Sequence, residues 1–193
     1  MLAVVVISFL AVGLSDGVIL SKCELKKQLE AGLTLQMPNS ADVLAQIACH
    51  AQLASGFNTA VTKTVPEPQE PRGGHGPRRG RSVRGNNKGG SSVNESAENK
   101  NEVWTLYGLF QLSDQVACNS TQSSTLNLCK LTCDKLIDDN TSDDIACVQT
   151  LINAVTAKVS DPTATREINE MISLIRQPEC MIMKASSYFH GCQ

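Results

Sequence analysis

Eight cysteines are the most evident reactive side chains in this sequence of 193 residues. They are Cys23, Cys49, Cys118, Cys129, Cys133, Cys147, Cys180 and Cys192. An even number of cysteines favours disulfide bonds, although the spacing alone leaves many pairings open. Zinc binding is disfavoured, because the chain contains no C-x-x-C pair and its three histidines are far apart in the sequence.

The first seventeen residues predict a signal peptide. Residues 1–14 are almost entirely apolar but too short to span a membrane, and Ser15, Asp16 and Gly17 then allow cleavage after Gly17. A buried N-terminal helix is the alternative. We expect a secreted, extracellular monomer with no transmembrane anchor, whose mature part, residues 18–193, keeps all eight cysteines. Sequons for N-glycosylation of such a chain begin at Asn94, Asn119 and Asn140.

Hydrophobic periodicity predicts four longer helices. The first begins at the capping box formed by Ser21 and Glu24, and Gly32 ends it. The others are expected over about 38–56, 143–159 and 162–177. Residues 103–112 are rich in β-favouring side chains around Gly108 and predict a strand and a turn.

Residues 63–102 interrupt this pattern. They are rich in Pro, Gly, Ser, Asn and charge, so we expect a disordered insertion. It holds 8 basic and 5 acidic residues, whereas the whole chain carries a net charge of −2. Four interpretations of the insertion stay open. It is a disordered loop without a function of its own, a basic segment that attracts an anionic partner, a membrane-active peptide at 71–90, or a cleavage site for a convertase at 78–81. Nucleic acid is not an expected partner of the acidic remainder.

The order of motifs resembles that of the C-type lysozymes and α-lactalbumins. The resemblance is carried by KCEL at 22–25, CHAQLASGFNT at 49–59, YGLFQLS at 107–113, and NLCKLTC with DKLIDDNTSDDIAC at 127–147. It implies an α+β fold with a helical α-domain, a small β-subdomain and a cleft between them. It also implies the disulfides Cys23–Cys192, Cys49–Cys180, Cys118–Cys133 and Cys129–Cys147, each worth ~2–4 kcal/mol. The insertion and a longer Cys147–Cys180 segment depart from the family pattern.

The same resemblance places the two catalytic carboxyl positions of the family at Ala54 and Leu106. Glycoside hydrolysis needs one carboxyl as an acid and a second one ionised, and neither of these side chains transfers a proton. Gln111 is left as a candidate glycan contact or a structural amide. We therefore expect a non-catalytic protein that modulates a partner such as a glycosyltransferase or binds a glycan. The alternative is a lysozyme that hydrolyses the β-1,4 links of peptidoglycan in antibacterial defence.

A calcium site is a further implication of the resemblance, which is to the calcium-binding branch of the family. The implied ligands are the carboxylates of Asp138, Asp143 and Asp144 and the backbone carbonyls of Lys135 and Asn140. Ca²⁺ prefers such hard oxygens. The alternative is that the same acidic residues only cap the third helix, whose positive end favours anions.

Overall fold

The computed structural model describes residues 17–67, 103–120, 125–157 and 161–192. These ranges contain helices and one antiparallel sheet, which confirms the α+β class. The elements in chain order are α1 (Lys22–Gly32), α2 (Ser40–Ser55), β1 (Thr62–Pro66), β2 (Val103–Tyr107), β3 (Leu112–Ser113), a 3₁₀ turn (Cys133–Leu136), α3 (Thr141–Thr156), α4 (Pro162–Ile175), α5 (Pro178–Met181) and α6 (Ala185–Tyr188). Residues 1–16 of the predicted signal peptide lie outside the described residues.

The ends of α1 and α2 follow from their capping residues. The Ser21 hydroxyl accepts a hydrogen bond from the Glu24 N–H at 3.1 Å, which satisfies one of the free donors of the first turn of α1. Gly56 ends α2 with φ at 64°, a left-handed conformation that glycine adopts without steric cost. The capping signals predicted from the sequence for these two helices are confirmed.

The third helix differs from its prediction at both ends. It begins at Thr141 rather than Asp143, because the Asn140 side chain accepts a hydrogen bond from the Ser142 N–H at 3.3 Å and caps it. It ends at Thr156, and Val155, expected on the buried stripe, is 46% exposed.

The sheet has the order β1-β2-β3, and both pairs are antiparallel. Lys63 of β1 lies opposite Leu106 of β2, and Leu106 in turn lies opposite Ser113 of β3. The predicted start of the disordered insertion at residue 63 is therefore wrong, because residues 62–66 gain a full backbone ladder with β2. Residues 68–102, the rest of the predicted insertion, lie outside the described residues.

Helices and sheet share one hydrophobic core, to which the elements contribute fully buried side chains: Leu25, Leu29, Trp104, Phe110, Leu112, Leu136, Leu151 and Met171. All eight cysteines are bonded, in the pairs Cys23–Cys192, Cys49–Cys180, Cys118–Cys133 and Cys129–Cys147. This is the pairing that the resemblance implies. Among the described ranges, no helix combines the length and the apolar character that a membrane crossing requires.

The turn between β2 and β3 packs very closely against the loop that precedes α3. Gly108 adopts φ of 71°, and a Cβ atom at this position would stand 1.6 Å from the Leu136 carbonyl oxygen. It would also stand 3.2 Å from Oδ1 of Asp144. Only glycine therefore allows the sheet and this loop to pack at their observed separation.

We predict that Gly108→Ala lowers the free energy of unfolding by more than about 3 kcal/mol, because backbone atoms must separate to admit the methyl group. Gly56→Ala is the matched control. It has the same sign of φ but no atom within 4 Å of the new Cβ, so it should cost about 1 kcal/mol. Urea unfolding of both variants measures the difference, and equal losses would contradict the packing argument.

Candidate functional site

The two positions at which the resemblance expects catalytic carboxyls carry only hydrocarbon. Ala54 lies in the last turn of α2 and is partly exposed, and Leu106 lies in β2 and is 7% exposed within the core. The Lys63 ammonium donates a hydrogen bond to the carbonyl oxygen of Ala54. Lys63 also lies opposite Leu106 in the ladder. A positive charge therefore lies beside Ala54, where the resemblance predicts a carboxyl group.

The described carboxylates near the sheet are already engaged. Asp114 is 6% exposed, and its Oδ1 accepts the Thr105 N–H at 3.0 Å. Its Oδ2 accepts the Ser120 hydroxyl at 3.4 Å. These bonds tie β2 to the loop after β3. Glu102, the acid that the sequence places nearest to Leu106, lies outside the described residues.

Helix α4 contacts the sheet region through two of its side chains. Met171 is fully buried, and its sulfur accepts a hydrogen bond from the Ser113 N–H of β3 at 3.3 Å. Arg166 of the same helix donates to Glu67 at 2.7 Å and to Glu170 at 2.9 Å. The hydrogen bond to Glu67 is the first cause that holds the pKa of Arg166 above its usual range. The lengthened Cys147–Cys180 segment therefore packs directly on the end of β1 and on β3.

Gln111, the candidate glycan contact, is a structural amide. It is 3% exposed, and its Nε2 donates to the carbonyls of Val61 and Gly108, both at 2.8 Å. These bonds hold the turn after Gly108 against Val61, the residue that precedes β1. The prediction of a sugar contact at Gln111 is not supported by this geometry, because a bound sugar could not reach a nitrogen that is buried and already bonded. Trp104 is also buried, at 1% exposure.

A buried histidine joins α2 to the same turn. His50 is 2% exposed, and its Nε2 shares a hydrogen bond with the Phe110 carbonyl at 2.9 Å. Nδ1 has no hydrogen-bond partner among the described residues. Burial lowers the pKa of His50 because the charged imidazolium loses its hydration, and Lys63 adds repulsion. One helical turn further on, the Ser55 hydroxyl donates to the Leu109 carbonyl at 2.8 Å.

The implied calcium loop contains one buried carboxylate without hydrogen-bond partners. Asp144 is 1% exposed, and neither of its side-chain oxygens has a partner among the described residues. Burial raises the pKa of Asp144 to about 8, and repulsion from Asp143 and Asp138 adds to the effect. An ionised carboxylate in this position is strongly destabilised unless a cation neutralises it.

The other implied carboxylates are directed to local donors. Asp138 accepts the Asn140 N–H at 2.8 Å and the Lys135 ammonium at 3.4 Å. Asp143 accepts the Asp144 N–H at 3.2 Å. In the part of the chain that the structure describes, no three His, Cys, Asp or Glu side chains are gathered as a preformed metal centre. The oxygen donors fit a hard cation. To bind a cation together with Asp144, the Asp138 carboxylate would exchange its hydrogen bonds with Asn140 and Lys135 for the metal.

Comparison with known proteins gives the family. A model of the C-type lysozyme/alpha-lactalbumin family matches residues 87–166. Milk lysozyme C of Equus caballus is 30% identical over 135 residues, which cover 69% of this chain and 76% of that protein. The chain belongs to the C-type lysozyme/alpha-lactalbumin family.

Two further matches describe how this family member relates to the two branches. Alpha-lactalbumin of Papio cynocephalus is 44% identical over 55 residues, 28% of this chain, and the match spans only 45% of that relative. The crystal structure of Equus asinus lysozyme aligns with a TM-score of 0.51 at 25% identity, covering 91% of this chain and 99% of that chain. The structural alignment thus covers almost the whole lysozyme, whereas the sequence match to α-lactalbumin covers less than half of that protein.

Three residues of the site were not identified from the sequence. Lys63 was assigned to the insertion, and His50 was treated only as one of three dispersed histidines. The Arg166 contact with Glu67 joins residues 99 positions apart, so no local pattern indicates it. For Lys63 a signal existed: Thr62, Thr64 and Val65 favour β-structure and precede the first proline of the insertion.

The glycosylation candidates have different surroundings. Asn119 and Asn140 are both exposed, so the structure leaves each side chain accessible. Asn140, however, uses its side-chain oxygen to cap α3. Asn94 lies outside the described residues. Glycosylation at all three positions stays a prediction.

We predict that His50 makes the protein less stable in acid. Because its folded pKa lies below the unfolded value of about 6.5, the unfolded state binds more protons below that pH. The stability present above about pH 6.5 is then lost as the pH falls, by at most about 1.4 kcal/mol per pH unit. His50→Gln keeps a donor for Phe110 and should flatten this dependence in urea unfolding between pH 7.5 and 4.5.

His190→Gln is the control for this experiment, since His190 is exposed. It should leave the pH dependence of unfolding as in the unmodified protein. An unchanged slope in His50→Gln would show that His50 does not change its proton binding on folding.

Proposed function

We propose that this chain is a secreted, calcium-stabilised member of the family that does not cleave glycans and acts by binding. The observation that carries the proposal is the replacement of both catalytic positions by Ala54 and Leu106, with the Lys63 ammonium bonded to the Ala54 carbonyl. The four disulfides and the apolar start of the sequence support export, because such bonds persist in oxidising compartments.

The chemistry of a retaining glycosidase argues against hydrolysis at this site. Its transition state carries positive charge on the sugar ring and needs two carboxyl groups about 5–5.5 Å apart. Loss of general acid catalysis alone costs about 10²–10⁴-fold in rate. An ammonium group beside Ala54 cannot supply the ionised carboxylate that this positive charge requires, so Lys63 does not replace the missing pair.

Of the two binding roles, we place modulation of a protein partner before glycan binding, because the surroundings of Trp104 and Gln111 disfavour a sugar contact at these two residues. Sugar sites commonly use an exposed aromatic face and free amide groups. Here Trp104 is 1% exposed and the Gln111 nitrogen is bonded to two carbonyls. The identity of a glycosyltransferase or any other partner enzyme is not carried over from α-lactalbumin, whose match covers only 45% of that protein.

The second candidate function is hydrolysis of peptidoglycan. It is favoured by the 30% identity to the Equus caballus milk lysozyme over 76% of that protein. That relationship supplies the fold and the disulfides, but a hydrolase of this chain would need a carboxyl from elsewhere. Glu102, four residues before Leu106, and Asp114, bonded to Thr105 of the same strand, are the acids to test first for such an activity.

We predict that the purified protein fails to clear bacterial cell walls in a turbidity assay. Its rate should be at least about 10⁴-fold below that of Equus caballus milk lysozyme measured in parallel, because both carboxyl positions lack a proton-transferring group. Calorimetry with chitooligosaccharides then distinguishes glycan binding from modulation. Clearing that disappears in Asp114→Asn or Glu102→Gln would establish the hydrolase and overturn the proposal.

The calcium part of the proposal is supported by the environment of Asp144. Ca²⁺ takes six to eight oxygens, and the carboxylates of Asp138, Asp143 and Asp144 with the carbonyls of Lys135 and Asn140 supply five before water. The cation would neutralise a buried carboxylate whose oxygens have no other partner among the described residues. The disulfides Cys118–Cys133 and Cys129–Cys147 restrain the loop on both sides.

We predict that Ca²⁺ at a hundredfold excess over its Kd raises Tm by roughly 5–10 °C, because it binds only the folded state. Asp144→Asn should abolish this increase. Asp139→Asn is the matched control, since it removes one charge from an exposed neighbour outside the ligand set. Scanning calorimetry with Ca²⁺ and with a chelator measures both. Loss of the response in both variants, or its persistence in Asp144→Asn, would contradict the assignment.

A further inference from the structure

An apolar cavity of about 290 Å³ lies between α2, α3, α4 and α5, away from the catalytic positions. Its walls include pairs of aliphatic side chains from three helices: Val43, Ile47, Val148, Ile152, Ile172 and Ile175. The helix α4 that closes it belongs to the lengthened Cys147–Cys180 segment. A cavity with such a lining excludes polar ligands but accepts a hydrocarbon.

The cavity opens onto a shallower depression that has a different character. The two share Val155, Ile172, Arg176 and Met181, and the outer depression adds the polar side chains of Asn169 and Ser173. Apolar side chains remain exposed around the opening, with Met37 at 42% and Val155 at 46%. The opening therefore joins an apolar interior to a polar exterior within a few residues.

Among the described residues, Arg176 is the one charged side chain that lines either space. It is exposed, and within the described residues its guanidinium takes part in no ion pair. A guanidinium binds carboxylate and phosphate oxygens through two parallel hydrogen bonds. The charge at the opening is thus complementary to an anionic group and to no cationic one.

We infer that this cavity binds an amphiphile with one alkyl chain and an anionic head group, with the chain between α2, α3 and α4 and the head group on Arg176. The cavity of about 290 Å³ far exceeds the roughly 10–15 Å³ that one water molecule needs on the same measure, so it admits an alkyl chain of several carbons. The inference is independent of the calcium loop and of the missing carboxyls. It assigns a ligand class to a surface that the proposed function does not use.

Octanoate and octan-1-ol, both below their aggregation concentrations, test the inference on the full disulfide-bonded protein. We expect one octanoate per chain by calorimetry, with methyl NMR shifts confined to the residues that line the cavity. Arg176→Gln should weaken octanoate binding by roughly threefold to fivefold and leave octanol binding unchanged, because it removes one partly exposed ion pair. Lys27→Gln, which removes an exposed charge on α1, should change neither affinity.

A second pair of variants tests the chain site separately from the head group. Val155→Trp should block the opening and weaken the binding of both ligands by at least about tenfold. Val155→Ala should leave the binding of both ligands unchanged. Because Val155 is exposed, neither change disturbs the core. Absence of saturable binding, equal effects of Arg176→Gln on the two ligands, or no effect of Val155→Trp would overturn the inference. Self-association that octanoate does not reverse would also overturn it, since a second copy would then cover the opening.

Discussion

The packing of Gly108 against the Leu136 carbonyl and the Asp144 carboxylate is the contact on which the arrangement of this protein depends. It is the place where the sheet, the loop after the 3₁₀ turn and the start of α3 approach one another without intervening side chains. Because the approach excludes water, Asp144 is held in a medium that disfavours its charge. Sheet packing and the raised pKa of the Asp144 carboxyl are therefore two consequences of one close contact.

The turn around Gly108 is held by side chains from two parts of the scaffold. The side chains of Gln111, His50 and Ser55 form hydrogen bonds to backbone carbonyls in or beside it, so the turn is fixed from the strand side and from α2. A site of this family that still performed chemistry would need its polar groups directed at substrate. Here these polar side chains bond to backbone carbonyls and fix the position of the turn, which is consistent with the proposed binding role.

The sequence predicted the local features well and the long-range ones poorly. Helix ends were predictable at Ser21 and Gly56 because a cap depends on neighbouring residues. The disulfides and the sheet required the family resemblance, since spacing alone leaves the pairing open. The strand at 62–66 was missed because its prolines and charges suggested disorder, while its stability comes from a ladder with residues 103–107. The sequence left Gln111 between a glycan contact and a structural amide because motif position does not show burial.

Both departures from the family pattern meet in one contact, which explains how the chain accommodates them. Glu67 stands where the insertion leaves β1, Arg166 lies in the lengthened helical segment, and the two are 2.7 Å apart. Met171 of the same helix accepts a hydrogen bond from the Ser113 N–H, so α4 contacts both the residue after β1 and β3. On its other side, α4 closes the apolar cavity that ends at Arg176. The same helix thus contacts the sheet through one set of side chains and lines the cavity through another, so one lengthened segment connects the sheet with the site that we propose for an amphiphile.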